Sequence, residues 1–312
     1  MTKLVESQIS GDPMTGRRWV RRSLRHLSGD LRKQGHRASP NTVGRLLRKQ
    51  DFSLKSNRKG YTGKSHPDRN LQFQHIQRQR EQFTAAGEPV VSVDAKKKEL
   101  VGNFKNAGVT WCQKAESVNT YDFIHDAQCR ATPYALYEPN RNRGTVAVGI
   151  SADTAQFAVD CVQHWWQQEG RQAYPQAKKL LLLADGGGSN GHRSRLFKSS
   201  LQQFANTSGV AVTVCHYPTG ASKWNPVEHR LLSHISINWA GKPLRSLDTM
   251  LGYIRGTITN TGLRVRAWLN TKTYPTKVKV SDAQMKSLNL ERLPTCPNWS
   301  YIIRPLPHSS GP

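Results

Sequence analysis

Apolar positions recur along the chain at two periods, and the change of period divides it into a helical first part and a mixed second part. Val20, Leu24, Leu27 and Leu31 follow one another at helical spacing, which predicts an amphipathic helix. Gly35 and His36 break that pattern. Ser39 followed by Pro40 reads as an N-cap with proline in the first helical turn. Val43, Leu46 and Leu47 then mark a narrow apolar stripe on a second helix, whose remaining face carries Asn41, Arg45, Arg48 and Lys49. Two short helices, a glycine-containing turn and a basic second helix predict a helix-turn-helix. An amphipathic hairpin with a solvated basic face is the plainer alternative. Residues 51–70 are polar and rich in breakers, as a linker or a basic wing would be.

A polar helix is predicted from Pro67 to Ala86. Strands are then predicted at 89–94, 100–105 and 145–150. A helix follows over 151–170, with Phe157, Cys161, Val162 and Trp165 inward. The apolar run 179–185 predicts a strand buried on both faces. A helix over 192–206 turns Leu196, Leu201 and Phe204 inward. A strand at 210–217 and a helix from Asn225 complete the series. The order of three strands, helix, strand, helix, strand, helix predicts an α/β sheet of mixed strand direction. From Thr271 the chain reads as a proline-dotted tail with one short helix over 281–288.

Composition adds a partner. Lys and Arg number 46 against 21 Asp and Glu in 312 residues, a formal net charge of +25. Residues 1–70 hold 17 of the cations and five of the acids, so nearly half the excess sits in under a quarter of the chain. Such an excess predicts a polyanionic partner, with nucleic acid first and an anionic membrane surface as the rival. No segment approaches the roughly 18–20 apolar residues a membrane span needs. The opening residues lack a signal-peptide core, so a cytoplasmic location is expected. Cys112, Cys129, Cys161, Cys215 and Cys296 are scattered, odd in number and without a C-x-x-C pair. Neither a zinc site nor a disulfide framework is expected from them.

The stretch "LLLLADGGGSNGHRS" places Gly186, Gly188 and Gly191 as G-x-G-x-x-G after a strand. A dinucleotide loop also needs an acid about 20 residues on to hold a ribose. From Gly186 to Val227 there is no Asp or Glu, and Asp185 would oppose a bound pyrophosphate. No nucleotide cofactor is expected. Asp185 instead belongs with two distant acids: Asp94, which ends the apolar run "VVSVD", and Glu228, which opens a later helix. In a sheet of this order the first two strands can lie side by side, with Glu228 closing the cluster. Three close carboxylates repel unless cations sit between them. Hard oxygen ligands suit magnesium or manganese. Two such ions can clamp the attacking and leaving oxygens of a phosphodiester.

Each acid also has a plainer reading. Asp185 can begin a turn. Asp94 can pair with Lys96 or Lys97. Glu228 can complete a capping box with Asn225 as N-cap and Pro226 as the first helical residue. Around the acids, Asn190 and His192 are candidates to orient a substrate phosphate. Lys223 and Trp224 pair a phosphate contact with a stacking surface, although Trp224 can equally be a packing anchor. His229 stands beside Glu228 and can either meet the scissile phosphate or lie on the helix surface. His125 and Asp126 resemble a hydrolase pair, but no nucleophile motif joins them.

The segments "VVSVDAKKKELVGNFKNAG", "GTVAVGISADTAQFAV", "LLLLADGGGSNGHRSRLFK" and "VTVCHYPTGASKWNPVEHRLLSHISINWAGKPL" resemble the Rhodopirellula-type DDE transposases of bacterial insertion sequences. The resemblance runs from about Gly35 to Pro305. It implies an RNase H-like catalytic core, a mixed sheet flanked by helices, behind a DNA-binding region. It also implies that Asp94, Asp185 and Glu228 are the catalytic triad holding two divalent ions, Mg²⁺ or Mn²⁺. The partners implied are the terminal repeats of the element and target DNA, bound by a homodimer or larger assembly. The expected division is a helix-turn-helix region and linker over 1–66, a connecting helix over 67–87, the catalytic domain over 88–270 and a C-terminal extension over 271–312. The family generally begins further upstream, which predicts a shortened copy, and Thr219 stands where proline is common. A copy that only occupies DNA, and an RNase H-like nuclease without strand transfer, are the alternatives.

Overall fold

The computed structural model describes residues 9–11, 18–20, 22–54, 66–221 and 224–307. The chain divides into two compact units, Met1–Lys64 and Ser65–Pro312.

In the first unit, β1 (Ile9–Gly11) pairs antiparallel with β2 (Arg18–Val20). Helices α1 (Leu24–Lys33) and α2 (Pro40–Arg48) follow. The side chain of Ser23 accepts from His26 N at 3.2 Å, and that of Ser39 accepts from Thr42 N at 3.1 Å, so each helix begins at a serine cap. Val20 therefore closes a strand rather than opening the first helix. Leu27, Leu31, Val43 and Leu47 form the small core, with Val20, Ala38 and Phe52 against it. Each of these buried leucines and valines contributes roughly 1.5–3 kcal/mol. Between the helices Gly35 turns the chain at φ +82°, a conformation that costs glycine least.

The second unit is built on one sheet. Its strands are β3 (Val90–Ala95), β4 (Glu99–Val101), β5 (Cys129–Glu138), β6 (Arg143–Gly149), β7 (Lys179–Ala184), β8 (Ala211–His216), β9 (Arg264–Asn270), β10 (Leu290–Arg292) and β11 (Ser300–Ile303). The spatial order is β10-β11-β8-β7-β3-β5-β6-β9, with β4 beside β5. β3, β7 and β8 run parallel to one another, as do β6 and β9, and the other pairs are antiparallel. This is an α/β sheet of mixed strand direction, as the order of elements predicts. The leucines of β7 are wholly buried because both neighbours are parallel and helices cover both faces.

On one face, α4 (Ala155–Trp165) and α5 (Arg195–Ser208) place Phe157, Val162, Trp165, Phe197, Leu201 and Phe204 over Val91, Val93, Leu182 and Val214. On the other, α3 (Arg69–Ala85) sets Ile76 and Phe83 against Val90, Leu181 and Leu183. That same face receives α6 (Ser233–Asn238) and α7 (Leu247–Arg255), whose Ile235, Met250 and Ile254 pack with Ala135, Tyr137 and Val146. A short α8 (Asp282–Lys286) lies in the tail. No helix among the described residues is long and apolar enough to cross a membrane.

Several elements differ from the sequence expectation. The longest strand, β5, is absent from that expectation, because Pro133 lies inside it. Proline is tolerated there because β3 gives out at that point: the last ladder pair is Ala95 with Tyr134. Pro133 O still accepts from Lys96 N at 2.8 Å. The strand expected over 100–105 is only Glu99–Val101. α5 begins at Arg195 rather than His192, because Ser194 caps it and accepts from Phe197 N. α3 is not polar all round, since it buries Gln72, His75, Ile76 and Phe83. The tail supplies β10 and β11, which extend the main sheet beyond β8.

Candidate active site

Parallel pairing fixes where the first two acids emerge. Val93 of β3 is in register with Ala184 of β7. The next residue of each strand, Asp94 and Asp185, therefore reaches the same edge of the sheet. Glu228 comes from the segment that leads into α6, in a wide helical turn over Glu228–Leu232. Asp94 is 8 % exposed. Burial first, and then the Asp185 and Glu228 carboxylates, push the Asp94 carboxyl up to about 8, and it shares a hydrogen bond with Glu228. Asp185 is raised as well, chiefly by burial. The amide of Gly187 opposes that rise, and Glu228 and Asp153 add to it.

Asp153, which follows β6, is a fourth acid that sequence reasoning missed. One of its carboxylate oxygens is buried with no hydrogen-bond partner. Its signal was weak, since an Asp before a helix cap reads as loop chemistry. Among the described residues, no group of three or more His, Cys, Asp and Glu side chains stands at metal-holding spacing. The carboxylates nonetheless form a hard-oxygen donor set of the kind Mg²⁺ and Mn²⁺ prefer. Burial and the neighbouring carboxylates disfavour the charged form of Asp94, and a cation would relieve that cost.

The supports of the acids are as specific as the acids. Asn225 is fully buried. Its amide nitrogen donates to Val93 O at 3.3 Å, and its side-chain oxygen accepts from the Ser92 hydroxyl. The amide thus grips β3 immediately before Asp94, three residues before Glu228. A capping box at Glu228 is not formed, because Asn225 spends its side chain on the strand. Asp94 does not pair with a lysine: Lys96 binds Glu99 instead, with its ammonium 5.0 Å from the Trp239 ring centroid. Behind Asp185, His216 Nδ1 donates to the Asp185 carbonyl at 2.9 Å. His216 is fully buried, and burial lowers it to about 4, so it is neutral. Neither Asn225 nor His216 could be assigned from sequence, because each partner lies tens of residues away.

The glycine loop folds back on its own acid. Gly187 gives an amide to the Asp185 carboxylate. Gly188 adopts φ +61°, where glycine alone is unstrained. His192 Nδ1 donates to Gly186 O at 3.0 Å, which occupies that nitrogen in holding the loop. Asn190 is 1 % exposed and accepts from the Tyr134 hydroxyl at 2.7 Å. It is a buried brace of the loop rather than a surface residue facing a phosphate.

The remaining candidates lie outward. His229 is exposed beside Glu228. Trp224 is 57 % exposed with its ring edge-on to Phe73 at 5.9 Å, so it is not a buried anchor. Lys223 lies outside the described residues. Asn41, Arg45 and Arg48 are exposed on α2, and Lys49 at its C-cap, in the other unit. His125 and Asp126 stand 3.3 Å apart and exposed, away from any nucleophile motif.

A family model described as the Rhodopirellula transposase DDE domain matches residues 1–305. A sequence comparison with curated proteins gives no match. Solved structures of the Mos1 transposase are similar at low identity. A paired-end complex with the left transposon end aligns at 10 % identity and TM-score 0.45, over 75 % of this chain and 65 % of that one. The chain thus spans just under two thirds of that protein. The Mos1 mariner paired-end complex with Mn aligns at 12 % identity and TM-score 0.44, with the same coverage. The catalytic domain alone aligns at 10 % identity and TM-score 0.39, over 62 % of this chain and 83 % of that one.

Proposed function

The chain belongs to the Rhodopirellula transposase DDE-domain family, and from that premise we propose that Asp94, Asp185 and Glu228 cut and join DNA at the ends of an insertion sequence. The observation that carries this reading is the parallel register of Val93 with Ala184, which brings Asp94 and Asp185 to one sheet edge, where Asp94 also shares a hydrogen bond with Glu228. Three carboxylates kept together at such cost make sense where divalent cations neutralise them. Bound Mg²⁺ or Mn²⁺ would supply Lewis-acid activation of the attacking oxygen and stabilise the departing one.

The chain's own residues do the rest. Asp94, Asp185 and Glu228 would hold the ions, and the hydrogen bond that Asp94 shares with Glu228 would give way to them. The amides of Ala95 and Gly187 hold the carboxylates of Asp94 and Asp185 in place. His216 fixes the backbone that carries Asp185. In the first reaction, water adds to phosphorus and the P–O3′ bond breaks, leaving a 3′-hydroxyl and a 5′-phosphate. In the second, that hydroxyl adds to a target phosphorus and displaces the target's own 3′ oxygen. The exposed Trp224 and His229 flank Glu228 as DNA contacts, and Lys223, next to Trp224 in the sequence, joins them. Asn41, Arg45, Arg48 and Lys49 form a phosphate-binding face in a helix-turn-helix spanning, with its linker, residues 1–66. After a connecting helix over 67–87, catalysis resides in 88–270. The segment 271–312 buttresses it, and a dimer holds the paired ends.

The test compares wild type with Asp185→Asn on end-containing duplex DNA in Mg²⁺ or Mn²⁺. Nicking and joining should fall by about 10³-fold or more, with DNA affinity within about threefold. Wild-type nicking by the variant would sink the triad assignment. Nicking without joining by wild type would indicate a nuclease. Binding without either would indicate a protein that only occupies DNA.

A further inference from the structure

Immediately after Asp94 the chain reads Ala95-Lys96-Lys97-Lys98, a charge run to which the acid cluster assigns no task. Lys96 is neutralised by Glu99. Lys97 and Lys98 are exposed and form no ion pair with any described acid. They open onto a cavity of about 520 Å³ whose wall also carries Lys105 and Arg130, both exposed and likewise outside any ion pair with the described residues. Arg130 enters through strand pairing, since it is in register with Leu100 of β4. The acids at the wall are Glu99, already held by Lys96, and Asp122.

Apolar side chains also line the cavity. Phe104 and Leu244 are 5 % and 4 % exposed. Gly102 N donates to Leu244 O at 2.7 Å, and the Asn106 amide donates to Trp239 O and Lys242 O at 3.1 and 3.2 Å. Four solvated like charges around a concavity cost little by themselves and are ready to receive an anion. The volume is that of a small-ligand pocket, larger than a lone phosphate requires. Lys97 follows Asp94 by three residues, so their Cα atoms are at most about 11 Å apart. A polyanion brought to a cluster of carboxylates needs cations at just this range to offset the repulsion.

We propose that this cavity is a DNA-strand cradle. Lys97, Lys98, Lys105 and Arg130 grip backbone phosphates one or two nucleotides from the acid cluster, and the sugar or base rests on Phe104 and Leu244. The choice of DNA as the polyanion rests on the transposase reading.

The experiment measures binding of the full chain to a labelled duplex of arbitrary sequence, without divalent cation, over a salt series. The variant Lys97→Gln/Lys98→Gln/Lys105→Gln/Arg130→Gln is compared with a control that removes equal charge elsewhere on the same unit, Arg171→Gln/Lys277→Gln/Lys279→Gln/Lys286→Gln. Every replaced residue is exposed, and circular dichroism checks that both fold. If the larger variant misfolds, Lys97→Gln/Lys98→Gln on the turn alone serves. The cradle predicts a loss of about tenfold or more for the cavity variant and under about threefold for the control. Its plot of log K against log salt should be shallower by about 0.9 for each phosphate that the variant no longer neutralises. Equal losses in both variants, or an unchanged slope, would overturn the proposal. The two readings fail separately. Unchanged binding beside an inactive Asp185→Asn removes the cradle alone. Lost binding beside an active Asp185→Asn removes the triad alone.

Discussion

Two clusters of like charge lie a few residues apart, and their surroundings treat them oppositely. Of the acids at the ends of β3 and β7, Asp94 is buried and Asp185 half-buried, and Asp94 is raised to about 8 by burial and by its neighbours. The lysines that follow stand in water around an open cavity, where their mutual repulsion is screened. Solvated charge of one sign costs little and is ready for a polyanion. Buried charge of one sign is costly enough to change protonation, and it calls for a small, intense counter-charge. On the proposed reading, the difference separates a surface that would hold DNA from a site that would act on it.

The sharpest way to break this comparison is to remove what forces the acids together. Asn225→Ala strands the buried Ser92 hydroxyl and the Val93 carbonyl, and should cost about 2–4 kcal/mol in chemical denaturation. It should also weaken Mn²⁺ binding, read as a smaller rise in melting temperature on adding the ion. If stability falls while the Mn²⁺ response stays that of wild type, Asn225 braces the fold only. Adding Ser92→Ala to Asn225→Ala should restore part of the stability, because the orphaned donor is gone.

A second test uses pH to isolate the cost of the acids. With a folded value of about 8 against 3.8 for the free group, Asp94 binds more proton in the folded chain throughout that window. Its contribution is therefore fully present below pH 4 and is lost as pH rises through 8. Asp94→Asn, which retains a donor for Glu228, should gain roughly 1–3 kcal/mol over wild type at pH 8 to 9 without divalent cation. The gain should vanish near pH 4. A variant no more stable than wild type at high pH would show that the acids do not strain the fold. The smallest expected effect concerns the loop that serves Asp185. Gly188→Ala places a Cβ at φ +61° and should cost about 1 kcal/mol, measured by thermal unfolding.

Much of the sheet was legible because buried parallel strands read as unbroken apolar runs, as 179–184 does. β5 was hidden by Pro133, which is acceptable only because β3 ends beside it. β10 and β11 are short and sit among prolines, so no local pattern marked them. At the site, Asp185 and Glu228 stood out because they bracket a stretch without Asp or Glu, and Asp94 because it ends an apolar run. Asn190 and His192 looked like substrate contacts, yet Asn190 is buried against Tyr134 and His192 commits its Nδ1 to the loop. Their partners, the Tyr134 hydroxyl and the Gly186 carbonyl, depend on how the chain folds back.

The sequence by itself determined the local matters: serine caps, apolar strands, the glycine turn after Asp185, the basic excess and membership of a family. Each depends on near neighbours along the chain or on composition. Only the tertiary structure decided that β3 and β7 pair in parallel, so that two acids 91 positions apart leave one edge together. It also decided that Asn225 grips β3 rather than capping its helix, and that β4 and β5 draw Arg130 to the lysines. Burial, register and hydrogen-bond choice are set by groups distant in sequence, and those determine which charges are costly and which are free to bind.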